Sequence, residues 1–77
     1  MTPAQCRAGR VLIDWSQEDL SKASLVVTER DIARFEEGAW IRSADIAAME
    51  GALEAAGVVF VDEDGHGPGV RLRKSKK

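Results

Sequence analysis

Positive charge is scarce over most of this chain. Residues 1 to 70 carry six Lys and Arg against thirteen Asp and Glu, a balance of −7, while five basic residues (Arg71, Arg73, Lys74, Lys76 and Lys77) crowd into the last seven positions. Sequence-independent affinity for nucleic acid comes from Lys and Arg displacing counterions, so an acidic body is a poor electrostatic footprint for it. Cysteine occurs once, at Cys6, which excludes an internal disulfide, and Cys6 with the single histidine, His66, falls short of a zinc ligand set. Cys6 reads as a small, half-buried residue and His66 as a solvated turn residue. No apolar run approaches the ~20 residues of a membrane span, and the first residues lack the basic stretch and apolar run of a secretion signal. There is no glycine-rich phosphate loop and no nucleophile spaced to a base. The expectations are therefore a soluble, cytoplasmic chain, no metal, no cofactor and no small-molecule substrate, and a binding protein in place of an enzyme.

Seventy-seven residues leave room for one folded domain, and a chain this short buries only about 60% of its unfolded surface. Helix starts are clearly written. Thr2 with Gln5, Ser16 with Asp19, and Thr28 with Asp31 each place a hydroxyl three residues before a side chain able to complete a capping box, and Pro3 suits the first helical position after Thr2. Helix one is expected from Pro3 to about Asp14, with Ala8, Val11, Leu12 and Trp15 as its core-facing stripe. A second helix spans Gln17 to about Ala23, with Leu20 and Ala23 inward. Helix three follows Thr28, is stapled by Val27, buries Ile32 and Phe35, and stops at Gly38. Helix four starts near Ser43, presents Ile46, Met49, Leu53 and Ala56, and ends at Gly57.

Beyond Gly57 the period changes to two. Val58-Val59-Phe60-Val61 and Gly69-Val70-Arg71-Leu72-Arg73 flank a polar, glycine-rich turn, which predicts a β-hairpin. An isolated hairpin is marginal in water and needs the helices or another copy to pack on. The expected organisation is a helical unit over 1–57, a hairpin over 58–73 that can serve dimerisation, and a disordered basic tail over 74–77.

The segment Trp15-Ser16-Gln17-Glu18-Asp19-Leu20, followed by Val27-Thr28-Glu29-Arg30-Asp31-Ile32-Ala33-Arg34-Phe35-Glu36-Glu37-Gly38, resembles the helix-turn-helix of the XRE family, the Cro and phage-repressor type of transcriptional regulator. The resemblance covers residues 5 to about 56, and the hairpin looks like that of a small bacterial subset. It implies a mainly α, four-helix repressor-like domain whose second motif helix enters the DNA major groove. It implies an ion pair between Arg10 and Glu36 that clamps the fold. Carried over position by position, Gln17 and Thr28 hold phosphates at two helix N-termini. Glu29, Arg30 and Arg34 read bases, Ala33 reaches a thymine methyl, and Arg42 touches the backbone. The partner so implied is double-stranded DNA, bound by a homodimer through half-sites one turn apart. The competing expectation is a helix-turn-helix scaffold for protein contact, antitoxin-like or antiactivator in kind, using Trp40, Ile41 and the hairpin edge. Trp40 either folds back on helix four or serves such a partner, and Trp15 caps the core.

Overall fold

The computed structural model describes residues 1–62 and 65–73. It is mainly helical, with α1 (Pro3–Leu12), α2 (Gln17–Ser24), α3 (Glu29–Glu36) and α4 (Ser43–Ala55) followed by an antiparallel hairpin of β1 (Val58–Val61) and β2 (Gly69–Leu72). Among the described residues no helix is long and apolar enough to cross a membrane. The tail over 74–77 lies outside the described residues.

The helix starts follow the hydroxyl signals. The Thr2 and Ser16 side chains accept from the Gln5 and Asp19 amides, and Gln5 and Asp19 reach back to the cap backbone, so both capping boxes close. At α3 half of the box forms: Thr28 accepts from the Asp31 amide, with no return bond from Asp31. The ends are equally local. After α1, the Trp15 amide bonds the Arg10 carbonyl and the Asp14 amide bonds the Val11 carbonyl. This is a Schellman closure with Asp14 left-handed at φ 60°. The same pair of bonds closes α3 at Gly38, φ 98°. α1 therefore stops two residues short of the expected Asp14.

The core gathers Cys6 from α1, Leu20 from α2, Val27, Ile32 and Phe35 around α3, Met49 and Leu53 from α4, and Val58 from β1. Trp15 and Ile41 pack against its margin. Two helices are rotated relative to expectation. On α1 the buried residues are Gln5, Cys6 and Gly9, whereas Ala8 is exposed and Val11 and Leu12 stand 68% and 40% open. The cause is close approach: a Cβ on Gly9 would sit 3.3 Å from Val58 Cγ1, so the small-residue face of α1 seats the hairpin. Cys6, expected half-buried, is fully enclosed on that face. On α2, Ala23 is exposed and Ser24 is buried. The Ser24 hydroxyl donates to Ser21 O at 3.0 Å and accepts from the Val27 amide at 3.3 Å, closing the turn into α3. On α4 Met49 and Leu53 are buried and Ile46 half-buried, but Ala56 is exposed.

The hairpin pairs Val58 with Leu72 through Val61 with Gly69 and lies over α1 and α4. Gln5, buried on α1, uses its amide twice: Nε2 donates to Val61 O at 3.2 Å and to Gly69 O at 3.0 Å, while Oε1 accepts from the Thr2 amide at 2.9 Å. One side chain thus caps a helix and seats a hairpin.

The turn between α2 and α3 contains a strained residue. Leu25 takes φ 71° with 87% of its surface exposed; left-handed backbone costs a residue with a Cβ roughly 1–2 kcal/mol, and here no burial offsets it. Replacing it by glycine removes that strain against an added unfolded-state entropy of about 0.5–1 kcal/mol. Leu25→Gly is therefore expected to raise stability by up to ~1 kcal/mol, measured by urea unfolding; a loss of stability would mean that the leucine side chain has a partner in solution.

Candidate nucleic-acid interface

Two short helices in succession, joined by a turn of four residues, carry most of the residues that the sequence singles out. What fixes them to the rest of the fold is a buried carboxylate. Glu36, at the end of α3, has a side chain 1% exposed. Arg10 from α1 grips it as a fork, Nε to Oε2 and Nη2 to Oε1, both at 2.7 Å. The Cys6 thiol donates to Oε2 at 3.2 Å and the Gln17 amide to Oε1 at 3.1 Å. The third Arg10 nitrogen donates to Trp15 O at 2.9 Å. Arg10 and Glu36 are thus the clamp that the resemblance implies, joined by Cys6 and Gln17 and by Arg7, whose Nε lies 3.8 Å from Oε1 and whose Nη2 donates to Glu36 O at 3.2 Å, none of which it named.

The titration of the cluster follows from these contacts. Burial alone pushes the Glu36 carboxyl up, but the bonds from Arg10, Gln17 and Cys6, with the charge of Arg10, outweigh it and hold the group below its ordinary 4.5. Burial, then the bond to Glu36 and its negative charge, pushes the Cys6 thiol up to about 12. Cys6 is thereby a protonated donor and a poor nucleophile.

Gln17 illustrates a difference from the expected role. It stands at the first position of α2, as a phosphate contact requires, but its amide nitrogen is committed inward to Glu36. What remains for a ligand at α2 is the backbone: the Gln17 and Glu18 amides have no partner among the described residues. Thr28 is occupied in the same sense, its oxygen capping the Asp31 amide, with the Glu29 and Arg30 amides left open. Two helix N-termini with free N–H groups therefore sit on elements packed against one another.

α3 presents Glu29, Arg30 and Arg34 to solvent. Neither arginine makes an ion pair with a described residue, and at a spacing of four they share one helix face. Ala33 is half-buried, less open than expected. Arg42 lies at the start of α4, 71% exposed, with its guanidinium turned to the buried Asp45 at 3.2 Å. Trp40 is 80% exposed, so it does not fold back onto α4, whereas Ile41 does reach the core margin. Trp40, Arg34, Arg42, Asp31 and Asp45 surround an open depression of about 360 Å³. Position alone had left Trp40 undecided; its exposure depends on which of two adjacent apolar residues the loop turns inward.

The clamp has a pH signature. Because the folded pKa of Glu36 is depressed, its stabilisation is complete above the ordinary 4.5 and disappears as the pH falls through the lower folded value. Glu36→Gln is expected to cost about 3 kcal/mol at pH 7, since it leaves Arg10 without its charge partner. The variant should also lose stability less steeply than wild type below pH 4.5. Denaturant titrations from pH 7 to 3 measure both; parallel acid limbs would contradict the account. Cys6, enclosed and protonated, is expected to react with an aromatic disulfide reagent only on unfolding, at a rate that rises with denaturant.

No protein-family model matches the chain, and no curated protein does.

Proposed function

We propose that this protein is a sequence-specific DNA-binding transcriptional regulator of the XRE type, acting in the cytoplasm as a homodimer, with α2, the turn and α3 as a helix-turn-helix. The observation that carries this reading is the α3 surface: Arg30 and Arg34 stand exposed and unpaired on one face, beside open amides at the starts of α2 and α3. Each arginine can grip guanine O6 and N7 as a fork, worth about 1–3 kcal/mol of discrimination, and Glu29 can accept from cytosine N4. The free amides and helix dipoles favour phosphate oxygens on either side.

The acidity of the chain is less of an obstacle than the net count suggests. Glu36 is buried against Arg10 and Asp45 is paired with Arg42, so neither presents a bare charge to an approaching backbone. The basic residues at the end of the chain, doubled in a dimer, supply positive charge. Glu29 and Asp31 at the start of α3 suit its dipole, although they oppose the approach of phosphate.

A protein-contact module is the second reading, and the exposure of Trp40 beside Arg34 and Arg42 favours it. Salt separates the two, because phosphate-driven binding weakens steeply with added salt and an apolar contact does not.

Selection of bound sequences from a random duplex pool tests the proposal. Wild type is expected to enrich a palindrome, and Arg30→Ala and Arg34→Ala each to weaken binding to it by about 1–3 kcal/mol while relaxing preference at distinct base pairs. Absence of any enriched sequence at low salt would sink the DNA reading and leave the protein-contact module.

A further inference from the structure

The hairpin has two unlike faces. Val58, Phe60 and Val70 turn inward, Val58 into the core and the other two onto its margin. The alternate positions turn outward, where Val59 pairs with Arg71 and Val61 with Gly69. The Arg73 amide bonds Gly57 O at 2.7 Å, so the ladder carries on past Leu72 and Arg73 follows Arg71 on the outer face. A depression of about 340 Å³ is lined there by Val59, Arg71, Leu72 and Arg73.

Both arginines are open to a ligand. Arg71 and Arg73 are exposed and make no ion pair with a described residue. Arg73 is also held in place: its Nη2 donates to Glu54 O, at the end of α4, at 3.0 Å, which fixes one corner of the guanidinium. The hairpin packs on α1 and α4, and these in turn pack on α3 and α2. Its outer face therefore looks away from the surface that carries Arg30 and Arg34.

Charge and shape select the occupant. Over residues 71–77 the charged side chains are Arg71, Arg73, Lys74, Lys76 and Lys77, five cations without an acid. A second copy laid on this face would bring the same five cations, so the complementary occupant is an anion. A guanidinium meets two phosphate oxygens as a fork. Side chains two apart on a strand stand about 6.8 Å apart, which matches the axial advance of two phosphates along one strand of a duplex. Anions repeated at that spacing distinguish a nucleic-acid backbone from the irregular acids of a protein surface. Among the described residues the outer face offers Val59, Val61, Arg71 and Arg73, with no amide, hydroxyl or carboxylate side chain. Such a set suits phosphates, which carry no sequence information, more than base edges.

We propose that the outer face of the hairpin is a second nucleic-acid site, where Arg71 and Arg73 hold the phosphodiester backbone of a duplex without regard to sequence, on the side of the domain away from α3. The proposal rests on the DNA reading for the class of its partner and uses none of the α3 residues.

Anisotropy titrations of the 77-residue chain test it, with one labelled duplex of the sequence that wild type selects and one of unrelated sequence, over a range of salt. Arg71→Gln/Arg73→Gln is expected to weaken binding of both duplexes by the same factor, at least tenfold at low salt. The slope of log K against log salt becomes shallower by about 2, while the order of preference among sequences stays as in wild type. Arg71→Lys/Arg73→Lys restores the slope. Arg71→Gln alone leaves the Arg73 bond to Glu54 O in place and is expected to change the slope by about 1, which keeps the test decisive if the double variant loses its circular dichroism. Wild-type affinity and slope in the glutamine variants overturn the hairpin site and leave base reading by α3 intact. Duplex binding governed by Arg71 and Arg73, with no sequence enriched, upholds the hairpin site and sinks the α3 reading. No duplex binding at low salt overturns both. Polyglutamate that displaces duplex from wild type at equal charge concentration overturns the choice of nucleic acid in favour of an acidic protein.

Discussion

The fold depends on one enclosed carboxylate. Taking a charge out of water costs several kcal/mol unless it is paired and its remaining lone pairs are filled. Glu36 meets that condition with donors from Arg10, Gln17 and Cys6, which lie on α1 and α2 while Glu36 itself ends α3. Three helices must therefore arrive at one point in one rotational setting. Apolar contacts tolerate sliding and repacking, but a two-bond guanidinium fork does not. The pair thus adds specificity of arrangement to a domain whose hydrophobic core is small.

That requirement has consequences around the whole of α1. Turning Cys6 and Arg10 toward α3 presents Gly9 and Gln5 to the hairpin, where the missing side chain of one and the amide of the other provide close approach and a hydrogen-bonded seat. The same rotation turns Ala8, Val11 and Leu12 away from the core. An amphipathic helix whose apolar stripe faces water is an unusual product of folding in isolation, and the stripe lies beside the helix face that seats the hairpin. Clamp and uncovered surface are two sides of a single rotation.

Cys6 and Gln17 show how a polar cluster reassigns residues. The thiol is held protonated as a donor, and the glutamine at the start of α2 faces inward to the carboxylate, leaving backbone amides at the surface in its place. On α3 the division is sharper. Ile32, Phe35 and Glu36 take the inner face and Glu29, Arg30 and Arg34 the outer one, so the outer side chains are free of structural duty. Helix starts with open N–H groups and arginines that make no ion pair among the described residues share this surface, although the chain as a whole carries a formal charge of −2.

The sequence by itself determined the elements. Capping hydroxyls at Thr2, Ser16 and Thr28, the stops at Gly38 and Gly57, and the switch to alternating residues after Gly57 are local signals, because caps and turns are satisfied within a few residues of chain. The inner residues of α3 and the Arg10–Glu36 pairing were legible too, the latter through resemblance. Rotation about a helix axis was not. Turning α1 changes no backbone hydrogen bond, so the choice between the Ala8 and Gly9 faces is left to contacts with distant residues such as Val58 and Glu36, whereas on α2 Ser24 is drawn inward by its own bonds to Ser21 O and the Val27 amide. For the same reason tertiary structure alone decided that Cys6 is fully enclosed, that the Gln17 amide serves the interior, and that Trp40 projects while Ile41 packs. Each is settled by a neighbour far along the chain, which no local pattern encodes.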